Sequence, residues 1–224
     1  ADPNFLTLVR RMLKAGVMTK GVYSETEQGT PQGGIISPIL ANIYLHYVLD
    51  LWFEKKLKPT LKGYAGIVRY ADDFVIGSRY PEDAQRIVQS IKARFTKFGL
   101  TLAEDKTRVI EFGRFARERR QERGKRKPET FTFLGFTHYC DRTRKGAFVV
   151  KHKTSRHKYQ ALVKRLKEWM RSMKNQRTLP DLWHTLTLKL NGHYQYYGIN
   201  GNTRKLQSFC FEAERLAFKW LNRK

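Results

Sequence analysis

Acidic side chains and cysteines are both scarce in this sequence of 224 residues. The sequence has 20 Asp and Glu against 44 Lys and Arg, a formal net charge of +24, so the sequence as a whole is neither acidic nor electrically balanced. The two cysteines are Cys140 and Cys210, and their wide separation excludes the spacings of a zinc site or a disulfide framework. We interpret both as buried thiols in a reducing compartment and predict a cytoplasmic protein.

Long hydrophobic runs are absent as well. The longest uncharged stretch, residues 28–49, contains Pro31, Pro38, Asn42 and His46, which excludes a membrane span. The start of the sequence lacks the basic segment and the following apolar segment of a secretory signal peptide. We therefore expect no membrane partner.

Positive charge is concentrated in the second half of the sequence. Residues 1–113 hold 16 basic and 12 acidic side chains, whereas residues 114–224 hold 28 and 8. Such an excess goes far beyond what solubility requires and indicates a polyanionic partner. The distribution predicts a half that binds nucleic acid, joined to a nearly neutral half. Residues 114–127 are strongly basic and predict a solvated loop, which could close onto phosphates.

A pair of adjacent carboxylates, Asp72 and Asp73, lies between two apolar segments, residues 66–68 and 74–77. The apolar segments are typical of short strands, and the residues between them are typical of a tight hairpin turn. Such a turn exposes both carboxylates, whose oxygens are ligands that Mg²⁺ prefers. Two ions about 4 Å apart can bind the attacking and leaving oxygens of a phosphoryl transfer. Taken by itself, the pair is explained equally well as an ordinary Asp-rich turn.

Hydrophobic spacing and turn residues predict a fold of the α+β class. The order of elements around the paired carboxylates suggests a split βαβ sheet with helices within residues 1–150. From about residue 157 to the end, apolar residues at helical spacing predict a basic helical module. The predicted helices before it are residues 4–14, 37–57 and 82–98, and further predicted strands are residues 100–102, 109–112, 131–136 and 147–150.

Six segments along the chain form one ordered set of motifs. They are Gly29-Thr30-Pro31-Gln32-Gly33-Gly34-Ile35-Ile36-Ser37-Pro38, Leu40-Ala41-Asn42-Ile43-Tyr44, Arg69-Tyr70-Ala71-Asp72-Asp73-Phe74, Gly99-Leu100-Thr101-Leu102-Ala103-Glu104-Asp105-Lys106-Thr107, Phe133-Leu134-Gly135-Phe136 and Gly192-His193-Tyr194-Gln195-Tyr196-Tyr197-Gly198. In this order they resemble the reverse transcriptases, and more narrowly the group II intron-encoded reverse transcriptase/maturases. The resemblance extends over essentially the whole chain.

The resemblance implies a fold and an activity. Residues 1–150 would be a partial fingers and right-hand polymerase palm domain with a basic loop at 114–130, and residues 151–224 a helical thumb/maturase domain. The activity would be RNA-directed DNA polymerisation with two Mg²⁺ ions. Asp72 and Asp73 would be the catalytic residues and metal ligands, with Asp72 bridging both ions. Intron RNA as template, a DNA primer and dNTP would be the partners.

The resemblance also assigns residues to the nucleotide. Pro31, Gln32 and Gly33 would form the loop against the incoming nucleotide, because glycine lets the backbone approach a substrate closely. Lys106 would lie near the phosphates of the nucleotide and offset the charge of the leaving pyrophosphate. A plain turn and a surface lysine are the alternatives for these two places.

Other residues are assigned to primer and template. Leu134 and Gly135 would form the primer grip, with a core strand as the alternative. A basic helix predicted over residues 151–171 and a tyrosine cluster would bind phosphates and unpaired bases, with a solvated helix face and core tyrosines as the alternatives. The predicted nucleic-acid-binding residues are Lys151, Lys153, Arg156, Lys158, Lys164, Arg165, Tyr194 and Tyr196.

One motif of the family has no match in this sequence. Reverse transcriptases carry a third catalytic carboxylate on a strand before the glycine-rich segment, yet Asp2 precedes a proline, and Glu25 and Glu27 lie in a polar stretch. We therefore expect an N-terminally truncated chain that lacks a fingers and palm segment, holds the second Mg²⁺ incompletely and falls short of the activity of a full-length enzyme.

Two other functions stay open at this point. A non-catalytic RNA-binding maturase, which acts as a splicing cofactor, would use the basic half and the tyrosines without the carboxylate pair. A related bacterial reverse transcriptase of a defence or diversity-generating system would use the same palm. The motif near the helical end and the sequence of the glycine-rich segment favour the intron type over the defence or diversity-generating type.

Overall fold

The structure, a computed structural model, describes residues 2–14, 16–19, 22–24, 36–125, 127–173 and 178–222. The chain divides into two compact units, Ala1–Val109 (unit 1) and Ile110–Lys224 (unit 2). The predicted functional domains, residues 1–150 and 151–224, place their boundary later in the chain and stay a prediction.

Unit 1 is built from three helices and two hairpins among its described residues. Its elements are α1 (Pro3–Leu13), β1 (Val17–Thr19), β2 (Val22–Ser24), α2 (Ser37–Leu45), β3 (Ala65–Tyr70), β4 (Asp73–Ser78) and α3 (Pro81–Lys97). The predicted helices 4–14 and 82–98 are thereby confirmed within one residue at each end. Proline at the start of α3 and Gly99 with φ 67° after its end explain both limits, since proline suits a first helical turn and glycine a left-handed C-cap.

The helix that begins at Ser37 changes its winding after Leu45. Two wide π turns, His46–Asp50 and Phe53–Leu57, and a short 3-10 turn, Lys58–Thr60, continue it. In the first wide turn the N–H of Leu51 donates to the carbonyl of His46, five residues earlier. The predicted helix 37–57 is therefore confirmed in extent, although π turns are an uncommon winding that occurs frequently at functional sites.

The core of unit 1 lies between this helix, α3 and the β3–β4 hairpin. Leu49 and Phe53 are fully buried, and Ile87, Ile91 and Phe95 of α3 are nearly so. Each such side chain contributes about 1.5–3 kcal/mol by leaving water. Burial of these side chains explains why the hairpin and α3 keep a fixed geometry.

Two strands predicted near the end of unit 1 and the start of unit 2 are wrong. Residues 100–102 and 109–112 form no strand, and within the described part of the chain β3 and β4 pair only with each other. Leu100 and Leu102 instead pack on the core as irregular backbone. A strand needs a neighbour for its backbone groups, and neither segment pairs with another strand among the described residues.

Unit 2 combines a three-stranded sheet with four helices among its described residues. Its elements are α4 (Ala116–Glu122), β5 (Phe131–Phe133), β6 (Phe136–Arg142), β7 (Phe148–Thr154), α5 (Arg156–Met173), α6 (Leu179–Tyr197) and α7 (Thr203–Leu221). The strands are antiparallel in the order β5-β6-β7. The predicted α+β class and the basic helical module are confirmed. No helix in the described ranges is long and apolar enough to cross a membrane.

Three predictions for unit 2 needed correction. The basic segment 114–127 contains the short helix α4 rather than only loop. Residues 131–136 are two strands and a turn, not one strand, because Leu134 and Gly135 both adopt positive φ. Lys151 and Lys153 lie on β7, so the predicted helix 151–171 begins only at Arg156.

Asn202, 1% exposed, ties the sheet of unit 2 to its helices. Its side-chain oxygen accepts from the N–H of Thr154 at 2.8 Å. Its amide nitrogen donates to the hydroxyl of Thr154 at 2.8 Å and to the carbonyl of Tyr197 at 2.9 Å. Buried polar groups of this kind are costly without partners, so Asn202 fixes the end of β7 against the end of α6.

Stability should depend on pH through His193 of α6. This side chain is 7% exposed and its ring lies 3.9 Å from that of Phe209. Burial lowers its pKa from the usual 6.5, so below pH 6.5 the unfolded chain binds more protons than the folded one. We therefore expect the free energy of unfolding to fall as the pH drops through 6.5, by at most about 1.4 kcal/mol per pH unit for this residue.

The measurement is urea unfolding between pH 5 and 8, followed by tryptophan fluorescence. Three of the four tryptophans, Trp169, Trp183 and Trp220, report on unit 2. His193→Phe should flatten the pH dependence, whereas the same change at the exposed His184 should leave it as it was. An unchanged slope in His193→Phe would show that the pH dependence arises elsewhere.

Candidate active site and nucleic-acid interface

The carboxylate pair lies at the tip of the β3–β4 hairpin. Tyr70 and Asp73 are the last paired residues of the two strands, and Ala71 and Asp72 form the turn between them. Ala71 has φ 53°, a left-handed conformation that is uncommon for residues other than glycine. Both aspartates are exposed. The predicted hairpin is therefore confirmed, and it presents both carboxylates to the solvent.

Asp72 and Asp73 fit a Mg²⁺ ion by the chemistry of their donors. Within the described ranges neither carboxylate takes part in a hydrogen bond or an ion pair, so their oxygens are available. Mg²⁺ commonly uses one or two carboxylates and keeps several waters. No group of three or more metal-binding side chains occurs in the part of the chain that the structure describes. The pair therefore suits one ion with water ligands, and a second ion requires further donors.

A guanidinium next to the turn, which the sequence analysis did not single out, is the best-connected polar group of the hairpin. Arg69 donates to both oxygens of Asp50, from Nε at 2.8 Å and from Nη2 at 2.6 Å. Its Nη1 donates to the side-chain oxygen of Asn42 at 2.8 Å and to the carbonyl of Ala71 at 2.7 Å. The hydrogen bonds to Asp50 raise the pKa of Arg69. An arginine within an apolar strand was the signal that could have found this group.

The predicted nucleotide-binding residues are only partly visible. Pro31, Gln32 and Gly33 lie outside the described residues. Lys106 is exposed on a turn in which its N–H donates to the carbonyl of Ala103 at 3.2 Å. Lys106 therefore shares unit 1 with the carboxylate pair, and its contact with a nucleotide stays a prediction.

The predicted primer grip is the tight turn between β5 and β6. Leu134 and Gly135 have φ 49° and 80°, as a two-residue hairpin turn of the primed type requires. The hydroxyl of Tyr196 donates to the carbonyl of Leu134 at 3.1 Å. A Cβ on Gly135 would lie 3.2 Å from the hydroxyl of Tyr197 and 3.8 Å from Cγ of Lys158. The structure thus brings the primer-grip turn together with the start of α5 and the end of α6.

The predicted phosphate-binding cations divide between two elements. Lys151 and Lys153 lie on β7, where Lys151 donates to Asp141 at 2.7 Å and the ammonium of Lys153 lies 5.2 Å from the ring centre of Tyr139. The other four lie on α5 with exposed side chains, namely Arg156, Lys158, Lys164 and Arg165. Lys164 lies 3.9 Å from Glu168 in an exposed ion pair. Because exposed ion pairs contribute little to stability, this pair would not prevent the cations of α5 from binding phosphate.

The two predicted base-stacking tyrosines have different surroundings. Tyr194 is partly buried, and burial together with the thiol of Cys210 raises its pKa to about 12. Tyr196 is 55% exposed, and its ring lies parallel to that of Phe136 at 6.0 Å. Only Tyr196 therefore keeps an exposed ring face, while its hydroxyl is engaged with the primer-grip turn.

The chain is similar in sequence to a known protein family and to several known proteins. The profile of the family described as "Reverse transcriptase (RNA-dependent DNA polymerase)" matches residues 3–138. The group II intron-encoded protein LtrA of Lactococcus lactis subsp. cremoris is 30% identical over 175 residues, which cover 52% of this chain and 29% of LtrA.

Two fungal proteins encoded in introns are also similar. The putative COX1/OXI3 intron 1 protein of Saccharomyces cerevisiae is 29% identical over 157 residues, 49% of this chain and 19% of that protein. An uncharacterised 91 kDa protein in the cob intron of Schizosaccharomyces pombe is 56% identical over 53 residues, 24% of this chain and 6% of that protein.

The family profile covers the exposed aspartate hairpin and more than half of the chain. The chain spans less than a third of the length of each of these three relatives. The sequence-based recognition is thereby confirmed: the chain belongs to the reverse transcriptase (RNA-dependent DNA polymerase) family, and its relatives place it with the group II intron-encoded reverse transcriptase/maturases.

Proposed function

We propose that this chain carries the carboxylate site of an RNA-directed DNA polymerase of the group II intron type. The observation that supports the proposal most is the hairpin turn of unit 1, whose two exposed carboxylates have no partner among the described residues. Their oxygens would hold Mg²⁺, which supplies Lewis-acid stabilisation of the charge that develops on a transferred phosphoryl group. A second ion needs donors beyond Asp72 and Asp73.

The reaction would join the 3′ end of a DNA primer to a dNTP on an intron RNA template. The primer hydroxyl attacks the α-phosphate in line, and pyrophosphate leaves. Asp72 and Asp73 position the metal, and Lys106 offsets charge on the pyrophosphate. The glycine-rich segment with Pro31, Gln32 and Gly33 would line the nucleotide.

Unit 2 would hold the primer and the RNA. The turn at Leu134 and Gly135 would contact the primer through its backbone. Glycine at position 135 lets this turn pack against Tyr197, whose hydroxyl would lie 3.2 Å from a Cβ there. The exposed cations of α5 would follow phosphates, and the exposed face of Tyr196 would stack on an unpaired base. We propose residues 1–150 as the palm side of this enzyme, residues 151–224 as its thumb/maturase side, and the cytoplasm as its location.

The test is primer extension on an RNA template with this chain, with and without Mg²⁺, and with RNA retention measured in the same samples. We expect RNA binding that does not require Mg²⁺, and Mg²⁺-dependent extension at a rate limited by the incomplete second metal site. Extension that is equally efficient in the presence of a chelator would contradict a carboxylate-held metal site.

A non-catalytic RNA-binding maturase is the second candidate. The observation that favours it is the charge of residues 114–224, which hold 28 basic and 8 acidic side chains without the carboxylate pair. In this case the protein would retain RNA in the extension assay, but no product would form with any divalent metal ion. Adding the protein would raise the rate of intron RNA splicing.

A further inference from the structure

The two aspartates of the hairpin turn are exposed and have no partners of their own among the described residues, so their direction depends on the backbone that carries them. Ala71, the residue before Asp72, has φ 53°. A left-handed conformation at a residue with a Cβ costs of order 1 kcal/mol and persists only where neighbours hold it. The carbonyl of Ala71 is held by Nη1 of Arg69 at 2.7 Å.

Arg69 is itself fixed from three sides. Its side chain is 12% exposed, and it donates to both oxygens of Asp50, the last residue of the wide π turn after α2. The same Nη1 that holds Ala71 also donates to Asn42 of α2 at 2.8 Å. A planar guanidinium with a bidentate carboxylate partner has one preferred orientation, which a lysine cannot reproduce.

The partner of Arg69 is anchored in turn by α3. Nε of Arg94 donates to the carbonyl of Val48 at 3.1 Å, inside the wide turn that ends at Asp50. The acceptor carbonyl belongs to the peptide bond between Val48 and Leu49, and both of these residues are buried. A continuous set of contacts thus leads from the core of unit 1 through Asp50 and Arg69 to the backbone of the hairpin turn.

We propose that Arg69 is a positioning residue for the metal pair Asp72 and Asp73, acting through the carbonyl of Ala71, with Asp50 and Asn42 as its orienting partners. The inference rests on the proposed function, because it assumes that the aspartates bind a divalent metal. Asp50 neutralises the guanidinium, so the turn keeps its negative charge for the metal while its shape is fixed. Mutation of residues that orient metal ligands without binding the metal typically lowers metal affinity by about 10–100-fold.

The experiment measures Mn²⁺ binding to the 224-residue chain from the electron paramagnetic resonance signal of free Mn²⁺. Arg69→Lys keeps the positive charge but loses the planar guanidinium that binds Asp50 with two nitrogens. Asp72→Ala removes a proposed metal ligand, and Arg79→Lys is the matched control. Arg79 is exposed and its guanidinium lies over the ring of Tyr80 at 5.6 Å, away from the turn's hydrogen bonds. Urea midpoints of all variants are recorded in the same buffer.

We expect Arg69→Lys to weaken Mn²⁺ binding by about tenfold, with the control unchanged. Asp50→Ala should act in the same direction, and the double variant should be no worse than the weaker-binding single variant, because both break one set of contacts. If Arg69→Lys does not fold, Asn42→Ala can be used instead, because it removes an exposed partner of the same guanidinium. It should weaken Mn²⁺ binding by about threefold, less than the roughly tenfold loss expected for Arg69→Lys.

Three results would overturn the inference. In the first, Asp72→Ala weakens Mn²⁺ binding, but Arg69→Lys (or Asn42→Ala in its place) binds Mn²⁺ as tightly as the unmodified chain. Arg69 would then only stabilise the fold. Strictly additive losses for Asp50→Ala and Arg69→Lys would show that they do not act through one contact. If Asp72→Ala also binds Mn²⁺ normally, the aspartates are not a metal site, and both the inference and the proposed function fail.

Discussion

Replacing Asp72 with alanine should lower the rate of Mg²⁺-dependent primer extension by about 10³-fold. A bound metal contributes several kcal/mol of transition-state stabilisation, and about 4 kcal/mol corresponds to about three powers of ten in rate. Asp72 lies at the exposed tip of the hairpin and outside the core of unit 1, so folding should be unaffected. The measurement is the initial extension rate at saturating Mg²⁺ on an RNA template, with RNA affinity recorded alongside.

The matched control for this prediction is Asp105→Ala. Asp105 is also an exposed aspartate of unit 1, so the change in charge is the same. We expect the control to extend primers within about twofold of the unmodified chain, and Asp72→Ala to bind RNA as the unmodified chain does. Extension that survives in Asp72→Ala would remove the hairpin from the reaction, and lost RNA affinity would place Asp72 in RNA binding instead.

Replacing three cations of α5 by glutamine should make RNA binding much less sensitive to salt. Lys158, Lys164 and Arg165 are exposed, and each phosphate they neutralise adds about 0.9 to the slope of log affinity against log salt for a duplex. If six phosphates are contacted, the loss of affinity between about 50 and 200 mM salt should shrink from about 10³-fold to about fortyfold. Fluorescence anisotropy with labelled RNA at four salt concentrations measures this.

The matched control replaces three exposed lysines of unit 1, Lys55, Lys56 and Lys62, by glutamine. Net charge changes by the same amount, so a general field effect would alter both slopes equally. We expect only the α5 variant to change its slope by about 2 to 3. Equal slopes in the two variants would show that the affinity for RNA comes from overall charge and not from α5.

Local sequence patterns predicted the elements that depend on local chemistry. The hairpin around Asp72 and the helices of unit 1 follow from turn residues, proline and hydrophobic spacing, which act within a few residues. The turn at Leu134 and Gly135 was missed by spacing alone, because a run of apolar residues hides the φ values that divide it. The resemblance to a family supplied what spacing could not.

Features that depend on distant partners were not predictable in this way. The two wide turns after α2 break the period on which a helix prediction rests, and no residue type marks them. The contact of Arg69 with Asp50 joins residues that are far apart in sequence, as does the contact of Asn202 with Thr154. The strands expected at 100–102 and 109–112 failed for the same reason, since a strand exists only with a neighbour.

The hydrophobic core of unit 1 and that of unit 2 have no side chain in common among the described residues. A substitution at the aspartate hairpin therefore changes no residue of the core that holds the helices of unit 2 together. In a lineage of such proteins, inherited damage to the carboxylates can accumulate while the basic helices remain under selection. Under the proposed function, the division of the cores allows descendants that have lost polymerisation and still bind RNA.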